Sequence, residues 1–132
     1  MAHPEQWIKS AIEASAGCDA YPMIAPEAAP LPFVAYARTS TNREGSLAAP
    51  LPVAIPPVAT FSVEIYAGTY MAAKQLADDV RGGLHNFNGT ADGVTILYSS
   101  LVEERDGDPV FFDGQDKPVF FVEHTYQVRW EE

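Results

Sequence analysis

The side chains best equipped for chemistry in this 132-residue chain are few: His3, His85, His124, the single Cys18 and an acidic run between Asp106 and Asp116. Imidazole moves protons near neutral pH or ligates metals, and a thiolate attacks electrophiles or holds zinc. Both roles need partners at defined spacing. The three histidines are not spaced as metal ligands, and no CxxC or Cys/His cluster accompanies Cys18. A lone cysteine excludes an intrachain disulfide, leaving an intermolecular bond or, the favoured reading, a reduced buried thiol. His124 lies among alternating apolar residues, which marks it as a hydrogen-bonded core residue ahead of a general base. Asp106-Gly-Asp108 and Asp113-Gly-Gln-Asp116 loosely resemble a calcium loop. Calcium needs converging oxygens and a closing bidentate acid, yet Pro109-Val-Phe-Phe112 interrupts the acids and no Glu closes the run. A hairpin using Asp and Gly for their turn geometry is the better reading.

No GxSxG, Walker loop, GxGxxG or HExxH is present. Arg81-Gly82-Gly83 is too short for an RNA-binding repeat, and Asn88-Gly89-Thr90 is an inert glycosylation match without a secretory signal. The expectation is a protein with no catalytic, cofactor-binding or metal-ligating residues, and not an enzyme.

The elements that must position these residues read as follows. Pro4 to Ala16 predicts a helix: Pro4 suits the first position, Trp7, Ile8, Ala11, Ile12 and Ser15 form one stripe, and Gly17 stops it. Pro22, Pro26, Pro30 and Pro32 punctuate the approach to a first strand, Phe33 to Thr39, so regular pairing is expected only after them. Val58 to Ala67 alternates as a second strand. Thr69 then caps a helix to Leu84 with the stripe Ala73, Leu76, Ala77, Val80 and Leu84, its last turn weakened by Gly82-Gly83. Gly93 to Glu104 and Val119 to Trp130 supply two more strands. The order α-β-β-α-β-β predicts an α+β fold over residues 1–132 as a single domain. Its expected core is a four-stranded, mainly antiparallel sheet with two helices on one face.

Residues 40–57 do not fit that frame. Prolines 50, 52, 56 and 57 forbid a central strand, while Leu47, Leu51, Val53 and Ile55 are too apolar for a solvated linker. A projecting arm buried against another chain explains both features, and a flap folded over its own domain is the alternative.

Composition bounds the rest. Apolar residues at 47% and charged residues at 20% are globular values. No stretch approaches the ~20 apolar residues of a membrane helix, and the start Met1-Ala2-His3-Pro4-Glu5 lacks a signal-peptide pattern, so folding in a cytoplasm is expected. Eighteen acidic residues against eight basic give a formal charge of −10. Seven of these cations, Arg38, Arg43, Lys74, Arg81, Arg105, Lys117 and Arg129, are scattered, which disfavours sequence-specific DNA binding.

Several segments taken in order resemble a known family. Tyr21-Pro22 leads to Pro30-Leu-Pro-Phe-Val-Ala-Tyr36. Phe61-Ser-Val-Glu-Ile-Tyr-Ala67 runs into Thr69-Tyr70 and Ala73-Lys-Gln-Leu-Ala-Asp-Asp-Val80. Gly93-Val-Thr-Ile96 precedes the acidic turn, and Pro118-Val-Phe-Phe-Val122 ends in Tyr126-Gln-Val-Arg-Trp130. This succession is similar to the short tail-completion or tail-terminator proteins of tailed (siphovirus-type) bacteriophages, over nearly the whole chain except 40–57. The resemblance implies a virion protein at the head-proximal end of the tail. It implies a hexameric ring that caps the tail tube, ends its polymerisation and joins it to the head–tail connector. Partners are then a homo-oligomer, the major tail tube protein and the connector protein, with genome DNA passing an acidic lumen that does not trap phosphate.

On that reading Leu47, Leu51, Val53 and Ile55 are candidate inter-subunit contacts. Asp106, Asp108, Asp113 and Asp116 are candidates for the tube or connector. A head-completion or connector adaptor of the same neck region is the alternative. An enzyme or small-molecule-binding module built on His85, His124 and the acidic turn is the remaining one.

Overall fold

The computed structural model describes residues 2–43, 55–112 and 114–132. Helix α1 spans Pro4–Ala16, and its chain enters extended at His3, whose N–H donates to Gln6 Oε1 at 3.0 Å. Gly17 ends it at φ 69°, the left-handed turn that glycine adopts without a Cβ clash. Pro4, Trp7, Ile8 and Ile12 are its buried face.

Strand β1 (Asp19–Pro22) follows, then β2 (Phe33–Asn42) and β3 (Val58–Ala67). Helix α2 (Tyr70–Leu84) starts where the Thr69 hydroxyl accepts the Ala72 N–H at 3.1 Å. It buries Ala73, Leu76, Ala77, Val80 and Leu84, the stripe its periodicity predicts. Strands β4 (Phe87–Ala91), β5 (Val94–Asp106) and β6 (Phe120–Glu131) complete the chain. No helix among the described residues is long and apolar enough to cross a membrane.

The sheet corrects the expected architecture. In place of four mainly antiparallel strands there is a curled, mixed sheet of six, ordered β1-β2-β3-β6-β5-β4. Two short strands account for the difference. β1 pairs parallel with β2, Asp19 opposite Phe33 and Pro22 opposite Tyr36. It is an edge strand, where proline removes no ladder bond from a second neighbour, so the prolines delimit this strand without forbidding it. β4 pairs with β5 through Asp92-Gly93, both at positive φ (54° and 75°). That dipeptide is a strong two-residue hairpin signal, obscured here because Asn88 and Gly89 are poor strand formers and a bulge interrupts the register beside Gly89.

One face of the sheet carries Val34, Tyr36, Phe61, Val63, Ile65, Val122, Tyr126, Val128 and Trp130, which meet both helices in a single apolar cluster. Alternation along β3 and β6 thus reports one covered face and one without a helical layer. The helices meet where Gly83 approaches Ser15. A Cβ at position 83 would fall 2.6 Å from the Ser15 Cβ, so the glycine that weakens the last turn is what lets α2 approach α1.

Candidate interaction surface

The histidines are built into the scaffold at three separate places. His3 precedes α1, and His85 caps α2 while its Nδ1 accepts the Leu101 N–H at 2.9 Å. His124 is fully buried between Tyr126, whose hydroxyl lies 2.8 Å from Nδ1, and Glu104, 2.5 Å from Nε2. A carboxylate only accepts, so Nε2–H donates to Glu104 and Nδ1 accepts the Tyr126 O–H. Burial, opposed by the Glu104 carboxylate, holds the imidazole pKa below its ordinary value and favours this neutral tautomer. Tyr126, the hydroxyl in this trio, is itself fully buried, and burial raises its pKa. The trio ties the buried His124 and Tyr126 to the more exposed Glu104 at the edge of the core.

Cys18 is half-buried. Burial first, then the Asp19 and Glu13 charges, push its thiol pKa up, away from the reactive thiolate. Among the described residues no group of three or more His, Cys, Asp or Glu side chains could hold a metal ion.

What the open face of the sheet assembles is aromatic. Phe33, Tyr66 and Phe121 stand on β2, β3 and β6 at matching register, and their rings stack at 4.9 and 5.0 Å. Phe112 reaches over from the β5–β6 connection to lie 6.1 Å from Phe33 and 6.0 Å from Tyr66. That connection is an extended hairpin clamped by the Val110–Val119 bridge. At its root Gly107 leaves room for the Phe121 ring, since a Cβ there would fall 2.0 Å from it. The Tyr66 hydroxyl donates to Glu64 at 3.0 Å. Burial first, then the Glu64 charge, keep the phenol pKa raised and the donor in place.

Above this floor runs a groove of about 890 Å³, walled on one side by residues 23–31 and on the other by Phe111, Phe112 and Val119. Its rim is exposed hydrocarbon: Met23 is 76% exposed, Ile24 82% and Phe111 63%. Met23 sits at φ 65°, a conformation that costs an L-residue about 1–2 kcal/mol. The backbone is therefore bent at some expense to place two large apolar side chains in water beside an aromatic trough. Contiguous exposed apolar surface of this kind marks an interaction or ligand-binding site.

The residues expected to make contacts distribute as follows. Leu47, Leu51, Val53 and Asp113 lie outside the described residues. Ile55 is half-buried just before β3. Both roots of the arm are tied to the C-terminal segment, Arg43 by an ion pair with Glu132 just past β6 and Pro56 by its carbonyl, which accepts from Arg129 of β6 at 2.6 Å. Asp106 ends β5 with its carboxylate already engaged, accepting from Tyr70 and Lys74 at 2.6 Å each. The Lys74 bond, then the Tyr70 bond, lower its pKa. Asp108 and Asp116 are exposed on the hairpin.

The described residues flanking the arm and the root of the hairpin lie at opposite ends of the sheet: Val58 pairs with Arg129, whereas Ala67 pairs with Phe120. Nine residues of β6 separate these levels, about 30 Å at ~3.3 Å each. Sequence reasoning passed over the groove, although Met23-Ile24 between prolines and Phe111-Phe112 inside an acidic turn were apolar residues without a local structural reason.

The fold is thus an α+β unit with a two-helix layer on one sheet face and an aromatic trough on the other. No protein-family model matches the chain, and no curated protein matches it. Its fold is similar to a chain in a solved structure described as the virion of a native gene transfer agent particle. That likeness has a TM-score of 0.59 at 13% identity and covers 92% of this chain and 84% of the other.

Proposed function

We propose that the protein is a structural subunit of a phage-type virion that closes the tail tube as a ring, ends tube polymerisation and joins the tail to the head connector. The observation carrying this reading is the fold shared, over nearly the full chain, with a component of a gene transfer agent virion. The order of motifs resembling tail terminators supplies the finer assignment. An apolar docking trough beside a polar inventory already engaged in the scaffold favours assembly over turnover.

Ring closure is a matter of geometry: a heterologous contact repeated with the right rotation closes on itself and leaves a different surface for the next partner. Residues 40–57, with Leu47, Leu51, Val53 and Ile55, provide the contact between subunits. The 107–119 hairpin, with Asp108, Asp113 and Asp116, faces the tube or connector. Asp106, held by Lys74 and Tyr70, anchors that hairpin.

The test is to add the protein to growing tubes of the major tail protein and follow length by light scattering and electron microscopy. Capping predicts tubes that stop lengthening and carry one ring at one end. Tubes that elongate unchanged, with no added density, overturn the reading. Immunolabelling on the connector side of the tube end, without arrest of elongation, assigns the connector-adaptor role instead.

A further inference from the structure

The aromatic trough and the apolar arm are complementary, and geometry keeps them apart within one chain. The arm sequence Leu47-Ala-Ala-Pro50-Leu-Pro52-Val53 has the composition that docks in aromatic-lined grooves, where proline rings pack on aromatic faces. The floor of the trough is Phe33, Tyr66 and Phe112, and its rim is Met23, Ile24 and Phe111.

The reach decides which copy supplies the arm. Pro56 is held at the end of β6 by Arg129. Tyr66 lies ten residues further along the chain, mostly in β3, about 33 Å away at ~3.3 Å per residue. Leu51 is five residues before Pro56 and Val53 three, so even a taut chain carries them only about 17 and 10 Å. The other root gives no better access. Arg43 lies ten residues past Phe33, and Leu47 is only four residues beyond Arg43, a reach of about 14 Å. The near end of the trough, at Ala35 and Glu64, is eight residues from each root, about 26 Å at ~3.3 Å per residue, which is still beyond the reach of Leu47, Leu51 and Val53.

We propose that residues 44–54 of one copy seat in the trough of a neighbouring copy, between its residues 23–31 and its Phe111-Phe112 wall. This inference rests on the ring reading above and names the surface that receives the arm. The roots of the arm and the trough are different patches toward opposite ends of one sheet, so such a contact is head-to-tail and generates a ring or a filament, never an isologous dimer. It also accounts for the exposed Met23 and Ile24 at the mouth, which the arm would cover.

The experiment uses the full chain carrying Cys18→Ser. Ala49→Cys is placed on one copy and Met23→Cys, at an exposed rim position, on another, and the mixture is oxidised. The control replaces Met23→Cys by Asp92→Cys in the β4–β5 turn. Expected is a disulfide-linked dimer from the mixture at least tenfold above the control, and from the doubly substituted chain a covalent series ending at the ring number. Native mass spectrometry of the parent protein, alone and with tube ends, runs alongside. A parent that assembles while the mixture links no better than the control overturns the arm–trough pairing and leaves the ring standing. A parent that never assembles overturns both.

Discussion

Ser99 and His124 sit on the same buried sheet face and make opposite demands on stability. The Ser99 hydroxyl is fully buried with no hydrogen-bond partner among the described residues, although its carbonyl accepts the Asn86 N–H at 2.7 Å. An unpaired buried hydroxyl loses its hydration without recompense. Ser99→Ala is expected to stabilise the fold by about 1 kcal/mol, read as a rise of a few degrees in Tm by thermal denaturation. An unchanged or lower Tm counts against the unpaired assignment. His124 is paired but must stay neutral. Its folded pKa lies below the ordinary 6.5 because burial outweighs the Glu104 attraction. Above that ordinary value neither state is protonated and nothing is lost. As pH falls through 6.5 the unfolded chain takes up a proton that the folded chain refuses, so stability declines until the folded pKa is reached. Urea titrations from pH 7.5 to 5 should show this slope, and His124→Gln should flatten it. A slope identical in the variant assigns the acid sensitivity elsewhere. That His124 belongs to the core was readable from its even position on a strand, but Glu104 lies twenty residues away on β5, and only the register, Glu104 opposite His124, brings them together.

Elements with a strong periodic signal were legible to the residue. Both helices, with the Gly17 stop and the Thr69 cap, and the second predicted strand appear where the apolar period and the punctuation place them. β1 and β4 were not, for different reasons. Four residues ending in proline carry no alternation to read, and β4 owes its place to the Asp92-Gly93 turn more than to Asn88 and Gly89. The two glycines closing α2 show how much of an element's logic is tertiary. A Cβ on Gly82 meets nothing within 4 Å, whereas one on Gly83 meets Ser15 at 2.6 Å and the Ala11 carbonyl at 3.3 Å. Gly82→Ala should therefore stabilise by about 0.5–1 kcal/mol through helix propensity alone. Gly83→Ala should destabilise by about 1–3 kcal/mol, because helix α1 must move away. Chemical denaturation of the pair measures both. Equal effects would mean the helices do not meet at Gly83. Gly107 applies the same logic on the open face. A side chain there displaces Phe121 and thereby the edge of the aromatic floor, a link invisible in a sequence where the two are fourteen residues apart.

At the scale of the whole molecule, charge and hydrocarbon set opposing terms for assembly. Each subunit carries a formal charge of −10, so bringing copies together concentrates like charge, and that repulsion extends over a Debye length of about 10 Å at 0.1 M salt. Six of the eight cations give it limited relief between copies, because Lys9, Arg38, Arg43, Lys74, Arg81 and Arg105 are already paired with Glu13, Glu5, Glu132, Asp106, Asp78 and Glu123 of their own chain. If copies associate through the trough as proposed, apolar burial at Met23, Ile24 and Phe111 must drive it. Raising salt screens the repulsion and leaves the apolar contact intact, so self-association should strengthen from 50 to 500 mM NaCl, by about tenfold or more in Kd if ~1.4 kcal/mol of repulsion is relieved. Sedimentation velocity across that series measures it. Dissociation on adding salt would mean that ion pairs between copies hold the assembly, and the apolar trough would lose its role as the driving contact. On the proposed ring the same acidity would also act toward a passing genome. A lumen lined by such subunits releases no counterions from passing DNA, so retention on a DNA column at 0.1 M salt would contradict a passage role in the same measure that salt-induced dispersal would contradict apolar closure.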